Sequence, residues 1–402
     1  MSTETLSMVK PKKHVSTAAP VKTKIFFPNL DGLRFISFFV VFLYHGLLSI
    51  FSYLKDSEPG TYGVLEFISQ HGNLGVNFFF VLSGFLITYL LIKEKEFTGR
   101  IHVTNFYIRR ILRIWPLYFL CVLVGFVGFA MLKKFSGEPI VENANPWYYI
   151  FFAANFDIMH TWPEKPDALL LSVLWSVAVE EQFYLTWPLI LSLVPLKRFR
   201  YVFPAIILFS LVFRALHTGD NEHEFAIRYF HTFSVIGDMA LGGLFAYLVS
   251  YENRFKTFIT EMPKSLIFLI YVLTLGVTLF KNNIFLPGWP VIFERIVIAF
   301  FFGLIILEQN YSKHSLFKMG RFTTISKLGI YTYGLYCLHF LGLYFAIKIM
   351  NMLRLDGSLS WVAFSMMAIA LGISVVISLA SYHMFEKWFL RLKDKFAFIV
   401  KK

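Results

Sequence analysis

An all-α, polytopic membrane protein with about ten transmembrane helices is the fold class this sequence predicts, on three observations. First, 57% of its 402 residues are hydrophobic and only 16% are charged. A soluble domain has roughly a quarter charged, so most of this surface faces something other than water. Second, apolar stretches of the roughly 20 residues needed to cross the hydrocarbon recur along the chain. They lie near 33–53, 73–92, 111–132, 170–194, 201–217, 230–250, 265–280, 291–308, 329–351 and 361–385. Third, they lack the period-two alternation of a barrel, and backbone left unpaired in lipid costs several kcal/mol per group, so they must be helices packed as a bundle.

Ahead of the first span, residues 1–28 are polar and carry Lys10, Lys12, Lys13, Lys22 and Lys24. No short apolar run with a small-residue cleavage site stands there, which predicts a cytoplasmic, disordered basic tail rather than a cleaved signal peptide. The membrane-embedded domain is expected over 29–388, followed by a second basic tail at 389–402. An even number of spans places both termini on one side. Most of the 38 Lys and Arg lie in the tails and the even-numbered loops, so the positive-inside rule puts both termini in the cytoplasm. The net charge of +13 is thereby a topology signal, and a nucleic-acid partner loses its main support.

Charged groups inside lipid cost several kcal/mol, so each intramembrane ionisable residue is a functional candidate. In the first span, Arg34 and His45 are eleven residues apart, three helical turns at about 3.6 residues each, on one face and about 16 Å apart. Arg34 is predicted at the inner surface and His45 near the midplane, against an anchoring arginine and a packed histidine as the bland reading. At the start of the third span, Arg110 and Arg113 face the same way. They suit phosphate oxygens, or simply anchor the helix at the positive side.

The external connection over 133–169 holds Trp147, Tyr148, Tyr149, Phe151, Phe152, Phe156 and Trp162. A loop that long predicts an interfacial or re-entrant helix, serving as an aromatic belt or as a platform for a sugar or lipid. The fourth span reads Leu174-Trp175-Ser176-Val177-Ala178-Val179-Glu180-Glu181-Gln182-Phe183-Tyr184. Ser176, Glu180 and Tyr184 form an i, i+4, i+8 stripe, and Glu180 lies about 15 Å deep, close to the depth of His45 from the other side. Such a carboxylate orients an imidazole or accepts from a substrate hydroxyl, or it is a structural buried acid. Asp238, among small residues in the sixth span, and His339 in the ninth are candidates with structural alternatives of equal or greater weight.

Other chemistries lack their motifs. Cys121 and Cys337 lie in apolar stretches and form no CxxC pair, which excludes a disulfide framework and a cysteine metal site. There is no HExxH, P-loop, GxGxxG or GxSxG, and the histidines lack metal-ligand spacing, so no metal is expected.

Four segments, in order, carry a resemblance: Leu30 to His45 as an Arg-x10-His motif, Gly75 to Thr88 around Ser83 and Gly84, Arg110-Ile111-Leu112-Arg113 as RxxR, and Trp175 to Tyr184 as WSLxxEExFY with Val177 at the usual Leu. Asn155-Phe156 and Tyr333 to His339 match more weakly. Over about 25–390 the sequence resembles the acyltransferase-3 family of integral-membrane acyltransferases, which O-acylate surface polysaccharides, lipopolysaccharide, peptidoglycan and related molecules. Asn77 stands where many members carry Asp, and the extracytoplasmic SGNH hydrolase-like domain of some members is expected to be absent.

The resemblance implies a multi-pass protein of the inner or plasma membrane. It would transfer an acyl group, acetyl foremost, from acyl-CoA as co-substrate to a cell-envelope polysaccharide or glycolipid, with no tightly bound cofactor. His45 and Glu180 would be catalytic, and Arg34, Arg110 and Arg113 would bind the donor. Ser83, Trp175, Ser176, Glu181, Tyr184, Asp238 and His339 would support the site or bind substrate. His45 would act as general base or as a covalent acyl carrier. A transporter or flippase without catalytic transfer is the alternative, since it too uses buried charges and many spans.

Overall fold

The computed structural model describes residues 27–137 and 139–396. A helix forms the body of every predicted span. In chain order these are α1 (Pro28–Leu47), α2 (Gly75–Thr98), α3 (Val103–Leu123), α4 (Leu174–Leu193) and α5 (Phe199–Ala215). They are followed by α6 (Thr232–Tyr251), α7 (Lys264–Leu279), α8 (Glu294–Tyr311), α9 (Thr332–Met352) and α10 (Ser360–Ser381). The chain is a polytopic, all-helical membrane protein, with no strand among the described residues.

By length and composition, α1, α2, α3, α6, α9 and α10 with their helical extensions are long and apolar enough to cross a bilayer. Helix α7 becomes a seventh if counted with Asn253–Thr260, from which it is bent by 91°. The other three fall short for visible reasons. Helix α5 has 17 residues; α4 carries Glu180, Glu181 and Gln182, and α8 carries Glu294, Arg295 and Glu308. Polar residues in such helices belong toward the bundle interior, and Glu308 and Arg295 are indeed buried.

Local sequence sets the helix ends. Pro28 opens α1, where its missing N–H costs nothing, and Asp31 lies in the first turn. Gly99, at φ 78°, closes α2 in the left-handed conformation that glycine adopts without strain. Helix α3 does not stop at Leu123: a wide turn at Val124–Gly128 carries it on to Ser136. A helix over Pro59–Ser69 was not among the expected elements; at 11 residues it is too short to span and lies between α1 and α2.

The N-terminal tail falls mainly on residues 1–26 and the last part of the C-terminal tail on 397–402, outside the described residues. At the C-terminal end, the chain continues beyond α10 as a helix over Lys387–Lys393 that lies against α3. There Arg109 Nη1 donates to the Phe396 carbonyl at 2.9 Å.

Helix α2 is central, packing on α1, α4, α6 and α8. Its closest neighbour is α6, and two glycines make that approach: a Cβ on Gly84 would stand 2.0 Å from the Met239 carbonyl oxygen, and one on Gly242 would stand 2.1 Å from that of Val81. Lipid provides no hydrophobic drive between helices, so such close backbone packing has to supply it. Gly242→Val is therefore expected to cost about 1–3 kcal/mol by overpacking, read as a lower Tm of the solubilised protein. An unchanged Tm would mean that the two helices part without loss.

Candidate active site

Helices α1, α2, α3, α4 and α9 surround a cavity of about 290 Å³. The start of α1, the end of α2 and the start of α3 contribute Arg34, Glu94, Arg109, Arg110 and Arg113 to one end of its lining, with Lys393 beside them. The middle of α2 and α4 contributes Ser83, Ser176, Glu180 and Tyr184. The walls between are apolar, among them Val76, Phe79, Leu82, Leu86 and Ile114.

The basic residues are not equivalent. Arg34 forms an ion pair with Asp31 one turn earlier. Arg109 pairs with Glu94 at 3.1 Å, and Glu94 also accepts from the His102 amide at 2.9 Å. Arg110 instead lies over two rings, 5.3 Å from the centroids of both Phe106 and Tyr184, and its Nε has no hydrogen-bond partner. Among the described residues, neither Arg110 nor Arg113 has a carboxylate within ion-pair distance. Two guanidiniums that line a partly apolar cavity without a counter-ion have the chemistry to hold an anion.

The stripe predicted on α4 is real: Ser176, Glu180 and Tyr184 all face the cavity. Ser83 of α2 completes it. Its Oγ donates to Glu180 Oε1 at 2.6 Å and accepts from the Tyr184 hydroxyl at 3.2 Å. One turn away, Ser176 Oγ and the Tyr336 hydroxyl are hydrogen-bonded at 2.7 Å, and both residues line the cavity.

His45 and His339 do not line it. They face each other, His45 Nδ1 to His339 Nε2 at 2.8 Å, and His339 Nδ1 lies 2.7 Å from the Tyr336 carbonyl oxygen. The histidine pair is thus tied to the cavity through Tyr336, itself a lining residue. The equal depth inferred for His45 and Glu180 does not bring them into direct contact: Glu180 is bonded to Ser83, and His45 to His339.

Three further candidates lie off the cavity. Glu181 is turned toward α3, where its Oε2 accepts from Trp115 Nε1 at 2.9 Å while its Oε1 is without a partner. Trp175 packs its ring against Phe80, Tyr229 and Phe230. Asp238 meets Arg295 of α8 at 2.5 Å, deep between α6 and α8. Arg295 was not singled out from sequence, although a buried acid on one span calls for a cation on another. Sequence reasoning also passes over Tyr336 and Glu94, and it reads Arg109 and Lys393 as topology alone.

The aromatic connection folds into short helices over Pro146–Ile150, Ala154–Thr161 and Leu169–Ser172. Part of it is core, since Phe152 stacks on Tyr118 at 4.4 Å and buried Asn155 accepts from Gln182 Nε2 at 2.9 Å. Trp147 and Phe151 stay exposed, ring over ring at 6.2 Å.

No group of three or more His, Cys, Asp or Glu side chains suited to a metal ion occurs among the described residues. No solved structure matches the chain. A family model described as an acyltransferase domain matches residues 27–382. The O-acetyltransferase OatA of Staphylococcus aureus strain NCTC 8325 is 31% identical over 238 residues, 56% of this chain and 35% of the relative. A protein of S. aureus strain COL, provisionally named an O-acetyltransferase, is 32% identical over 234 residues with the same shares. The match therefore spans about a third of the length of these curated relatives. Because the family match runs from α1 through α10 and includes every residue of the cavity's polar middle, the chain belongs to the acyltransferase-3 family, and it is similar to O-acetyltransferases.

Proposed function

We propose that this protein transfers an acyl group, acetyl foremost, from acyl-CoA to a hydroxyl of a cell-envelope polysaccharide or glycolipid. The observation that carries the reading is the pair of guanidiniums, Arg110 and Arg113, lining the cavity with no carboxylate partner among the described residues. Acyl-CoA has its phosphates at one end and its thioester at the other. Phosphates held by Arg110 and Arg113, with Arg34 beside them, would lay the pantetheine arm along the apolar wall and bring the thioester toward Ser83, Glu180 and Tyr336. This end of the cavity is the cytoplasmic one if both termini are cytoplasmic, as the distribution of basic residues supports.

The acceptor would come from the opposite side, where His45 follows Arg34 by three turns. Its hydroxyl proton passes to His45 as the oxygen attacks the thioester carbon; the C–O bond forms, the C–S bond breaks, and the sulfur leaves as thiolate and takes up the proton. If His45 instead attacks first, the acyl group rests on its ring nitrogen before the hydroxyl removes it. Glu180, held by Ser83, supplies the carboxylate end of the site.

Membrane vesicles supplied with radiolabelled acetyl-CoA and purified envelope glycan test this reading. The label is expected on the glycan, as an ester released by mild base. Label that crosses into the vesicle and stays unattached would support a transporter instead. Within the same assay, Arg113→Ala is expected to raise KM for acetyl-CoA with a smaller effect on kcat. A charged hydrogen bond to phosphate is worth about 1.5–3 kcal/mol, or roughly 10- to 150-fold. An unchanged KM would remove Arg113 from the donor site.

A further inference from the structure

We infer that His339 is a positioning residue that fixes the tautomer of His45, keeping the proton on His45 Nδ1 and leaving Nε2 as the reactive lone pair. The inference rests on the reading of His45 as the group that acts on the thioester, and it says which of its two nitrogens does so.

The argument runs along one chain of hydrogen bonds. The Tyr336 carbonyl oxygen accepts and never donates. His339 Nδ1 lies 2.7 Å from it, so Nδ1 carries a proton. A neutral imidazole has one N–H, so the lone pair of His339 is on Nε2. His45 Nδ1 stands 2.8 Å from that lone pair. Two lone pairs facing at this distance repel, so His45 Nδ1 must bring the proton, and a neutral His45 is then bare at Nε2.

The ring geometry agrees. The two imidazole planes are within 18° of parallel with centroids 5.0 Å apart, which is too far for face-to-face stacking and fits an end-to-end N–H···N contact. The other assignment, a doubly protonated His339 donating to His45, would bury a cation. His339 is fully buried, with Phe38, Phe42 and Phe340 around its ring, and among the described residues neither histidine has a carboxylate in ion-pair range. An unpaired charge there costs far more than the neutral arrangement.

The same chain assists once His45 gains a proton at Nε2. Its Nδ1–H then donates more strongly to His339 Nε2, and His339 is in turn braced by the Tyr336 carbonyl, so the positive charge is spread along a fixed path. Tyr336 lines the donor cavity. The residue that anchors the tautomer therefore also forms part of the wall against which the thioester would rest.

Two substitutions separate this role from packing. His339→Gln places an amide oxygen where Nε2 was, able to accept from His45. His339→Phe keeps the ring and removes the acceptor. The direct readout is nitrogen-15 NMR of histidine-labelled full-length protein in lipid nanodiscs, with the His45 signals identified by their loss in His45→Gln.

Wild-type His45 is expected as the Nδ1–H tautomer, and His339→Gln is expected to keep it, with transfer within about tenfold of wild type. His339→Phe is expected to release His45 into a mixture of tautomers and to lower transfer by about 10²-fold, the lower range for a general base. A wild-type His45 protonated at Nε2, or a His339→Phe protein with unchanged spectrum and rate, overturns the inference. If His339→Phe does not fold, the wild-type spectrum alone decides. Full transfer by His45→Gln would sink the catalytic reading of His45 while leaving the tautomer result standing, so the two failures are distinct.

Discussion

His45→Ala is expected to reduce acyl transfer by about 10²- to 10⁴-fold, the contribution of a positioned general base, while KM for acyl-CoA stays near its wild-type value. The split follows from placement. His45 does not line the cavity; its partner is His339 on α9, and the Tyr336 carbonyl links that pair to a residue of the cavity wall. Removing the imidazole thus leaves Arg34, Arg110 and Arg113 where they were. Arg113→Ala should do the reverse, weakening donor binding more than turnover. Membranes containing each variant, supplied with labelled acyl-CoA and acceptor, give both constants. A His45→Ala protein that transfers at the wild-type rate would falsify the catalytic assignment and return His45 to the rank of a packed core residue.

The fold was legible because lipid leaves few choices. A long apolar run has to be a helix, and each of the ten runs contains one, even those too polar or too short to pass as spans by themselves. Pairings within one helix were legible for the same reason: Ser176, Glu180 and Tyr184 share a face by periodicity alone, and all three reach the cavity. What periodicity gives is depth along an axis, not the neighbour a side chain meets. His45 and His339 are 294 residues apart, and nothing in either helix announces the other. Depth also made His45 and Glu180 look like direct partners, whereas rotation about the helix axes sends Glu180 to Ser83 and His45 to His339. Basic residues were harder still, because one charge serves topology and binding alike. Arg109 and Lys393 read as topology and yet line the cavity beside Arg110 and Arg113.

Asp238→Ala is expected to destabilise the protein by about 3–5 kcal/mol, the cost of leaving one member of a buried ion pair behind. Asp238 and Arg295 are each about 95% or more buried and meet at 2.5 Å between α6 and α8. Beside them, Arg214 of α5 is already engaged. Arg214 donates to the carbonyls of Val291 at 2.6 Å and Ile292 at 2.9 Å and to Ser234 Oγ at 2.9 Å, and as a second cation it cannot stand in for the lost carboxylate. An Asp238→Ala protein keeps the Arg295 cation buried without its carboxylate, 5.9 Å from the Phe80 ring of α2 and with the Arg214 cation near by. Replacing both partners, Asp238→Leu with Arg295→Met, removes the two desolvation costs together and is expected to recover most of the lost stability. Tm and the yield of folded, solubilised protein measure both. The double variant also decides what the pair is for. If it is a structural clasp, the repaired protein regains transfer along with its Tm. If the double variant is as stable as wild type and still inactive, Asp238 or Arg295 must touch substrate, and the site extends beyond the cavity of α1, α2, α3, α4 and α9.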